Sequence, residues 1–254
     1  MSSLIFDTHA HYDDKSFDED RSEVLKMLPQ NNVFAVVNAG ADIESSVKSI
    51  EISKEYDYVY ASVGIHPENI SDEKIDYINI LEDLLKNEKV VAIGEIGLDY
   101  HYTKDNKSDQ IELFENQINL AVNHNLPIMV HDREAHGDTM DLLKKYTPKG
   151  IVHCFSGSVE MAKEVIKLGM YIGIGGLITF KNAKTAVNVV ENIPLSSIVL
   201  ETDAPYMTPV PFRGTRCNSS YIKYTAEKIA EIKNINVEEV LKITKENALK
   251  LFNL

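Results

Sequence analysis

The chain has 254 residues, of which 44% are hydrophobic and 26% are charged, and its formal net charge at pH 7 is −13. This composition is typical of a soluble globular protein, and no apolar run approaches the roughly 18 residues that a membrane helix needs. The net charge argues against non-specific coating of nucleic acid, because that binding depends on Lys and Arg displacing counterions from phosphates. It does not exclude a nuclease, since bound divalent cations are often the largest charges in an active site.

The length is close to the about 250 residues of a typical (β/α)8 barrel, so we expect one domain spanning residues 1–254. The N-terminal segment lacks the basic stretch and the apolar core of a secretory signal, and a cytoplasmic location is therefore expected. Cys154 and Cys217 are too few for a disulfide framework. We expect Cys154 to be a small buried residue and Cys217 to be a surface thiol, with neither taking part in a mechanism.

Eight apolar, β-rich runs alternate with longer segments of helical periodicity. The runs lie near residues 4–8, 33–38, 58–65, 90–96, 127–131, 150–154, 170–174 and 197–202. After the fourth run, one buried helix face is predicted from apolar residues at helical spacing: Ile111, Phe114, Ile118, Ala121 and Val122. Such regular alternation predicts a parallel sheet, either closed into a barrel or open and doubly wound.

The segment that follows the eighth run has a different character. Residues 204–211 include three prolines, which forbid a regular helix, so we expect a shaped loop over the mouth of the barrel. Residues 219–254 predict two helices. Their barrel-facing side is predicted from apolar residues: Ile229, Ile232, Val240, Ile243, Ala248, Leu249 and Phe252.

Six potential metal ligands lie where apolar runs end: His9, His11, Glu95, His131, His153 and Asp203. In a closed parallel barrel the carboxyl ends of all strands surround one active site. His9 of the first strand and Asp203 after the eighth would be far apart in an open sheet but adjacent in a barrel. The sequence therefore predicts an α/β fold, a (β/α)8 TIM barrel with a metal site at the C-terminal face of its strands.

A divalent metal is the expected partner of these side chains, because polar groups beside an apolar barrel core are costly to bury alone. Six ligands exceed the needs of one tetrahedral zinc and fit two ions about 3.5–4 Å apart that share a carboxylate. The predicted bridge is Glu95. The other ligands divide into two sets, His9, His11 and Asp203 for one ion and His131 and His153 for the other. Imidazole and carboxylate donors leave the metal open among Mg, Mn, Zn, Fe and Ni.

Six segments of the chain are distinctive: FDTHAH at 6–11, GIHP at 64–67, GEIGLDY at 94–100, HCFSG at 153–157, ETDAP at 201–205 and PFRGTR at 211–216. The chain resembles, over its whole length, the TatD family of metal-dependent deoxyribonucleases within the amidohydrolase superfamily, and these segments carry the resemblance. The resemblance implies that all six ligands carry over, and that the activity is hydrolysis of phosphodiester bonds in DNA, often as a 3′-exonuclease. One departure is that Cys217, Asn218 and Ser219 replace the Asn-Glu-Pro that commonly follows the Arg-Gly-x-Arg segment in the family.

The implied mechanism is two-metal hydrolysis, in which the ions activate a water molecule and clamp the attacking and leaving oxygens. We assign catalysis to Asp203, which is suited to accept the proton of that water, together with the shared carboxylate of Glu95. Substrate contacts are predicted at His66, Arg133, Lys181, Tyr206, Arg213 and Arg216. The basic residues would bind phosphate and Tyr206, with Phe212, would stack on an unpaired terminal base. Solvated charges and loop packing remain the alternatives at these positions.

The expected partner is a DNA substrate with single-stranded or frayed ends, with no membrane and no obligate protein partner. A second hypothesis is a metallohydrolase of a small-molecule ester, lactone or amide, or of an aminoacyl-tRNA ester, because one barrel and metal site support several chemistries. A third is a metal-loaded binding module without turnover, which the complete ligand set disfavours.

Overall fold

The structure is a computed structural model and describes residues 4–71, 75–102 and 105–254. Eight strands form one sheet in chain order: β1 (Ile5–Ala10), β2 (Val33–Ala39), β3 (Val59–Val63), β4 (Val90–Asp99), β5 (Ile128–Arg133), β6 (Gly150–Val152), β7 (Tyr171–Ile174) and β8 (Ile198–Leu200). Each strand pairs in parallel with the next one along the chain. The eight predicted runs thus become eight strands, with ends shifted by a few residues.

Nine α-helices occur in the described ranges: α1 (Arg21–Met27), α2 (Ile43–Glu55), α3 (Tyr77–Leu84), α4 (Lys107–Asn123), α5 (His136–Tyr146), α6 (Val159–Lys167), α7 (Lys184–Asn192), α8 (Ile222–Lys233) and α9 (Val237–Phe252). The pair of helices predicted after Ser219 is present as α8 and α9. Residues 204–211 form no helix, as their prolines predict. No helix within residues 4–71, 75–102 and 105–254 is both long and apolar enough to cross a bilayer.

The first and last strands meet through side-chain and backbone hydrogen bonds. Thr8 Oγ1 donates to Leu200 O at 3.1 Å, and the amide of Asp203 donates to His9 O at 2.9 Å. One residue further, the amide of His11 donates to Ala204 O at 2.7 Å. These bonds bring the ends of β1 and β8 together and confirm the predicted (β/α)8 barrel.

A buried apolar cluster occupies the amino-terminal end of the barrel. Met129 and Ile151 belong to it, and each lies two residues before a predicted ligand, so strand alternation directs them to the same face as His131 and His153. The ring of Phe252 from α9 stacks on Phe6, with centroids 5.8 Å apart. The same strands therefore begin in an apolar floor and end in polar side chains.

Helix α4 follows its predicted face with one exception. Phe114, Ile118 and Ala121 are buried, and Ile111 packs against the core. Val122, however, is 49% exposed, so its predicted burial is wrong. One residue advances a helix by 100°, which carries Val122 away from the face that Ala121 occupies.

The predicted surface position of Cys217 is also wrong. Its side chain is buried, its amide donates to Pro205 O at 3.0 Å, and burial raises the pKa of its thiol to about 12. The loop after Arg216 folds inward because Asn218 accepts the Ser220 amide and the amide of Ser219 donates to the hydroxyl oxygen of buried Tyr12 at 2.8 Å.

Candidate metal centre

All six predicted ligands converge at the carboxyl ends of the strands. His9, Glu95 and His131 lie on β1, β4 and β5. His11 and His153 directly follow β1 and β6, and Asp203 lies three residues after the end of β8. Residues that are up to 194 positions apart in the sequence thus lie in one cluster, because parallel barrel strands end around a single opening.

The carboxylate of Glu95 lies at the centre of this cluster, with its two oxygens facing different ligands. Oε1 lies 3.0 Å from His131 Nδ1 and 3.1 Å from His153 Nε2. Oε2 lies 3.4 Å from His9 Nε2 and 3.5 Å from His11 Nε2. One carboxylate that faces two sets of donors is the arrangement expected of a bridge between two ions.

The donor atoms form three overlapping groups that are compact enough to hold a cation: His9, Glu95 and His153; His9, His11 and Asp203; and His66, Glu95 and His131. The second group matches one of the two sets predicted from sequence. His66, predicted as a substrate contact, instead enters the third group, with its Nε2 3.6 Å from Glu95 Oε1. The structure therefore adds a donor on the segment after β3.

The chemistry of the donors fits a metal ion. The Nε2 atoms of His9 and His11 face each other at 3.0 Å, and both lie within 3.7 Å of Asp203 Oδ1. His11 Nδ1 is 2.9 Å from Ala39 O, a contact that orients the ring with its Nε2 toward the cluster. Lone pairs of imidazoles and carboxylates directed at one point are a donor set suited to a divalent metal ion.

The site stabilises positive charge on His131, whereas burial lowers the pKa of His9 and lowers that of His66 to about 4. Burial alone lowers the pKa of His131, but hydrogen bonds to Asp99 and Glu95 raise it to about 9. Burial raises the pKa of Glu95, yet the charges of His153, His66 and His9 hold it well below its usual range. Glu95 is therefore an ionised carboxylate whose negative charge is stabilised by the neighbouring imidazoles.

Three buried carboxylates that support the ligands were not predicted as site residues. Asp99 Oδ2 lies 3.0 Å from His131 Nε2, leaving Nδ1 of the same ring facing Glu95. Glu201 Oε1 accepts the Cys154 amide at 2.5 Å and lies 3.5 Å from His153 Nδ1. Asp7 accepts the amide and hydroxyl of Thr202 at 3.0 and 2.6 Å. All three lie in the distinctive sequence segments, and carboxylates that orient ligand histidines are a recurring part of metal sites.

The cluster opens into a cavity of about 390 Å³. Of the predicted substrate contacts, His66, Arg133 and Tyr206 line it. Cys154 also lines it, half-buried rather than fully buried, and burial raises the pKa of its thiol to about 12.

The other three predicted contacts do not line this cavity. Arg216 is held by Asp20, with Nη2 2.5 Å from Oδ2, and it lies over the ring of Phe17. The guanidinium carbon of Arg213 lies 4.4 Å from the ring centroid of Phe180. Lys181 is an exposed residue in the same region. The structure therefore separates these cations from Arg133.

Comparison with known proteins agrees with this geometry. Residues 6–253 match the family model described as TatD related DNase. The chain is 44% identical to the uncharacterized metal-dependent hydrolase YabD of Bacillus subtilis, over 99% of this chain and 100% of the relative. It is 33% identical to the uncharacterized metal-dependent hydrolase YcfH of Escherichia coli K12, over 99% of this chain and 96% of the relative.

Solved structures agree as well. The crystal structure of YJJV, a TatD homolog from Escherichia coli K12, superposes with a TM-score of 0.92 at 30% identity and covers 100% of both chains. The barrel and its donor cluster define a metal-dependent hydrolase. The chain belongs to the TatD family of these enzymes.

Proposed function

We propose that this hydrolase cleaves phosphodiester bonds in single-stranded DNA, working from the 3′ end, with two divalent ions held at the donor cluster. The observation that carries the proposal is the central position of Glu95, whose two oxygens face separate sets of imidazoles. His9, His11 and Asp203 would hold one ion, and His131 and His153 would hold the other. When bound, such ions supply Lewis acidity toward water and phosphate oxygens.

Asp203 supplies the proton acceptor. Its side chain is 17% exposed and lines the cavity, so water reaches it. Burial opposes ionisation, but a hydrogen bond to His11 and the charges of His153 and His9 lower its pKa. The carboxylate is therefore ionised near neutral pH and is ready to take a proton from an attacking water molecule.

Arg133 favours a phosphodiester over a neutral ester. Among the described residues that line the cavity, it is the one lysine or arginine. Its guanidinium matches phosphate oxygens in a bidentate geometry. The DNA partner, the 3′ polarity, the cytoplasmic location and the absence of an obligate protein partner stay predictions.

The proposal is tested by incubating the protein with 3′- and 5′-labelled single-stranded oligonucleotides in Mg²⁺, Mn²⁺ or Zn²⁺ separately. We expect stepwise release of nucleotides from the 3′ end with at least one of these ions. A parallel panel of lactones, small esters and an aminoacyl-tRNA ester tests the competing substrate classes. Turnover confined to that panel would contradict the proposal, and Asp203→Asn serves as the control for contaminating nucleases.

A further inference from the structure

The side chain of Tyr102 lies at the wall of the metal cavity and remains exposed to solvent. It lines the same cavity as Glu95 and His131, yet it is 62% exposed. The guanidinium carbon of Arg133 lies 4.5 Å from the centroid of its ring, and the His101 ring meets it edge-on at 4.7 Å. An aromatic ring fixed by a cation and left open to a cavity is a surface on which another planar group stacks.

We propose that Tyr102 is the stacking subsite for the unpaired nucleobase next to the phosphodiester that is cleaved. This inference rests on the proposed function and names the part of the substrate that the site recognises. Arg133 has two tasks in it, since one face of the guanidinium supports the Tyr102 ring and its N–H edges bind the adjacent phosphate.

The backbone that carries Tyr102 is hydrogen-bonded to a carboxylate that also contacts the metal centre. Asp99 Oδ1 accepts the amides of His101 and Tyr102 at 2.8 and 3.0 Å, and Oδ2 of the same carboxylate contacts His131 Nε2. Gln110 in turn accepts the Asp99 amide at 2.9 Å and donates to its carbonyl oxygen at 3.0 Å. A single buried carboxylate therefore holds both the loop that carries the stacking ring and a predicted metal ligand.

The register of the sheet fixes the other half of the subsite. Asp99 on β4 pairs with Arg133 on β5, two residues beyond the pair of Gly97 and His131. The amide of Tyr100 also donates to Arg133 O at 2.9 Å. The position of Arg133 relative to the donor cluster is thus set by the sheet, and the hydrogen bond to Asp99 holds the backbone of Tyr102 in the adjacent turn, as a substrate with a constant base-to-phosphate spacing requires.

Of the two aromatic residues predicted from sequence for this task, Tyr206 lines the same cavity but Phe212 does not. The hydroxyl of Tyr206 donates to Asp14 Oδ2 at 3.0 Å. The ring of Phe212 stacks on Tyr221, with centroids 5.0 Å apart and planes at 4°. Tyr102 differs because its ring interacts with Arg133, a cation of the cavity wall itself.

The test compares two single-stranded oligonucleotides that differ only at the terminal 3′ nucleotide, one with an intact base and one with a tetrahydrofuran abasic residue. Stacking of one base contributes about 1–3 kcal/mol, so the metal-loaded parent is expected to favour the intact strand by about 5- to 150-fold in kcat/KM. Tyr102→Ala should bring this ratio close to 1. Tyr102→Phe should keep the ratio, because the ring remains.

The matched control is Phe34→Ala, which removes another exposed ring that lies under a cation, with Lys245 Nζ 4.2 Å from its centroid. Phe34 lies outside the cavity, so this variant should keep the parental ratio. A Tyr102→Ala ratio as large as that of the parent, or an equal loss in Phe34→Ala, overturns the subsite.

A second measurement separates the subsite from turnover. A strand with 2-aminopurine as its terminal base is titrated with the parent, Tyr102→Phe and Tyr102→Ala in the presence of a chelator, and its fluorescence is recorded. Quenching by the parent and Tyr102→Phe but not by Tyr102→Ala supports stacking on the ring. Equal quenching by all three, or none, overturns the subsite, whereas quenching without hydrolysis in the metal-loaded parent overturns the proposed function instead.

Discussion

The two ends of the barrel are built from the same strands but have opposite physical roles. At the amino-terminal end, Met129 and Ile151 pack with the Phe6–Phe252 stack in an apolar cluster. Two residues further along the same strands, His131 and His153 surround the carboxylate of Glu95. The floor stabilises the fold by removing apolar surface from water. The mouth instead holds a buried carboxylate, and its imidazole neighbours offset the cost of its desolvation.

Residues that stabilise the fold and residues that form the site therefore lie at opposite ends of the same strands rather than on different strands. In β4 and β5 the first residues pack in the floor, and Glu95 and His131 further along the same strands belong to the site, as in barrel enzymes generally. Substitutions at the mouth should therefore change activity with little loss of stability, and substitutions in the floor should do the reverse.

Removal of metal should have the largest effect. Dialysis against a chelator is expected to abolish hydrolysis, and addition of a divalent metal should restore it, because bound ions would supply Lewis acidity toward water and phosphate oxygens. Hydrolysis is measured on the labelled oligonucleotide before and after reconstitution, with metal content determined on each sample. Full activity in protein shown to be metal-free would contradict a metal-dependent active site.

Asp203→Asn should lower kcat by about 10²- to 10⁴-fold, the usual contribution of a positioned general base. Asparagine keeps the size and one ligand oxygen but does not take a proton near neutral pH. Metal occupancy must be measured on the same sample, because loss of the adjacent ion would give the same result. Activity within a few-fold of the parent, with both ions bound, would show that another group accepts the proton.

Ile151→Ala tests the floor. Its side chain is fully buried, and deleting such a group typically lowers the free energy of unfolding by about 2–5 kcal/mol through lost burial and a residual cavity. Denaturant unfolding should show this loss, while kcat and KM of the folded enzyme at low temperature stay near the parental values. A large fall in kcat without a fall in stability would break the division between floor and mouth.

Arg133→Ala should have a smaller effect on catalysis than Asp203→Asn and act mainly on substrate binding, raising KM for DNA by about 10- to 100-fold, since a hydrogen bond to a charged group contributes about 1.5–3 kcal/mol. Its effect on kcat should be smaller, because a contact to a phosphate that does not react stabilises ground and transition states alike. Steady-state kinetics at several salt concentrations measure both constants and should show a flatter salt dependence.

The comparison variant is Arg216→Ala. The guanidinium of Arg216 is held by Asp20 outside the cavity, so its removal should leave KM and the salt dependence near the parental values. A rise in KM equal to that of Arg133→Ala would instead place Arg216 on the path of the DNA, as the sequence predicts.

Much of the site could be predicted from the sequence because its signals are local. Apolar runs predict strands, and polar residues at the ends of parallel strands meet whatever the loops between them do. Glu95 at the centre of the cluster and Asp203 beside His9 follow from this rule alone. The helices α8 and α9 follow in the same way from the spacing of their apolar residues.

Other features depended on contacts between distant segments, which local periodicity does not encode. The pairing of Arg216 with Asp20 spans 196 residues, and the burial of Cys217 follows from the inward fold of its loop against Tyr12 and Pro205. Tyr102 likewise shows no helical or strand signal, and the turn after β4 brings it beside Arg133 of β5. The barrel and the convergence of its six donors are predictable from the sequence, since both arise from repeating short-range patterns. The side chains that surround those donors are not, because they are placed by the packing of loops against one another.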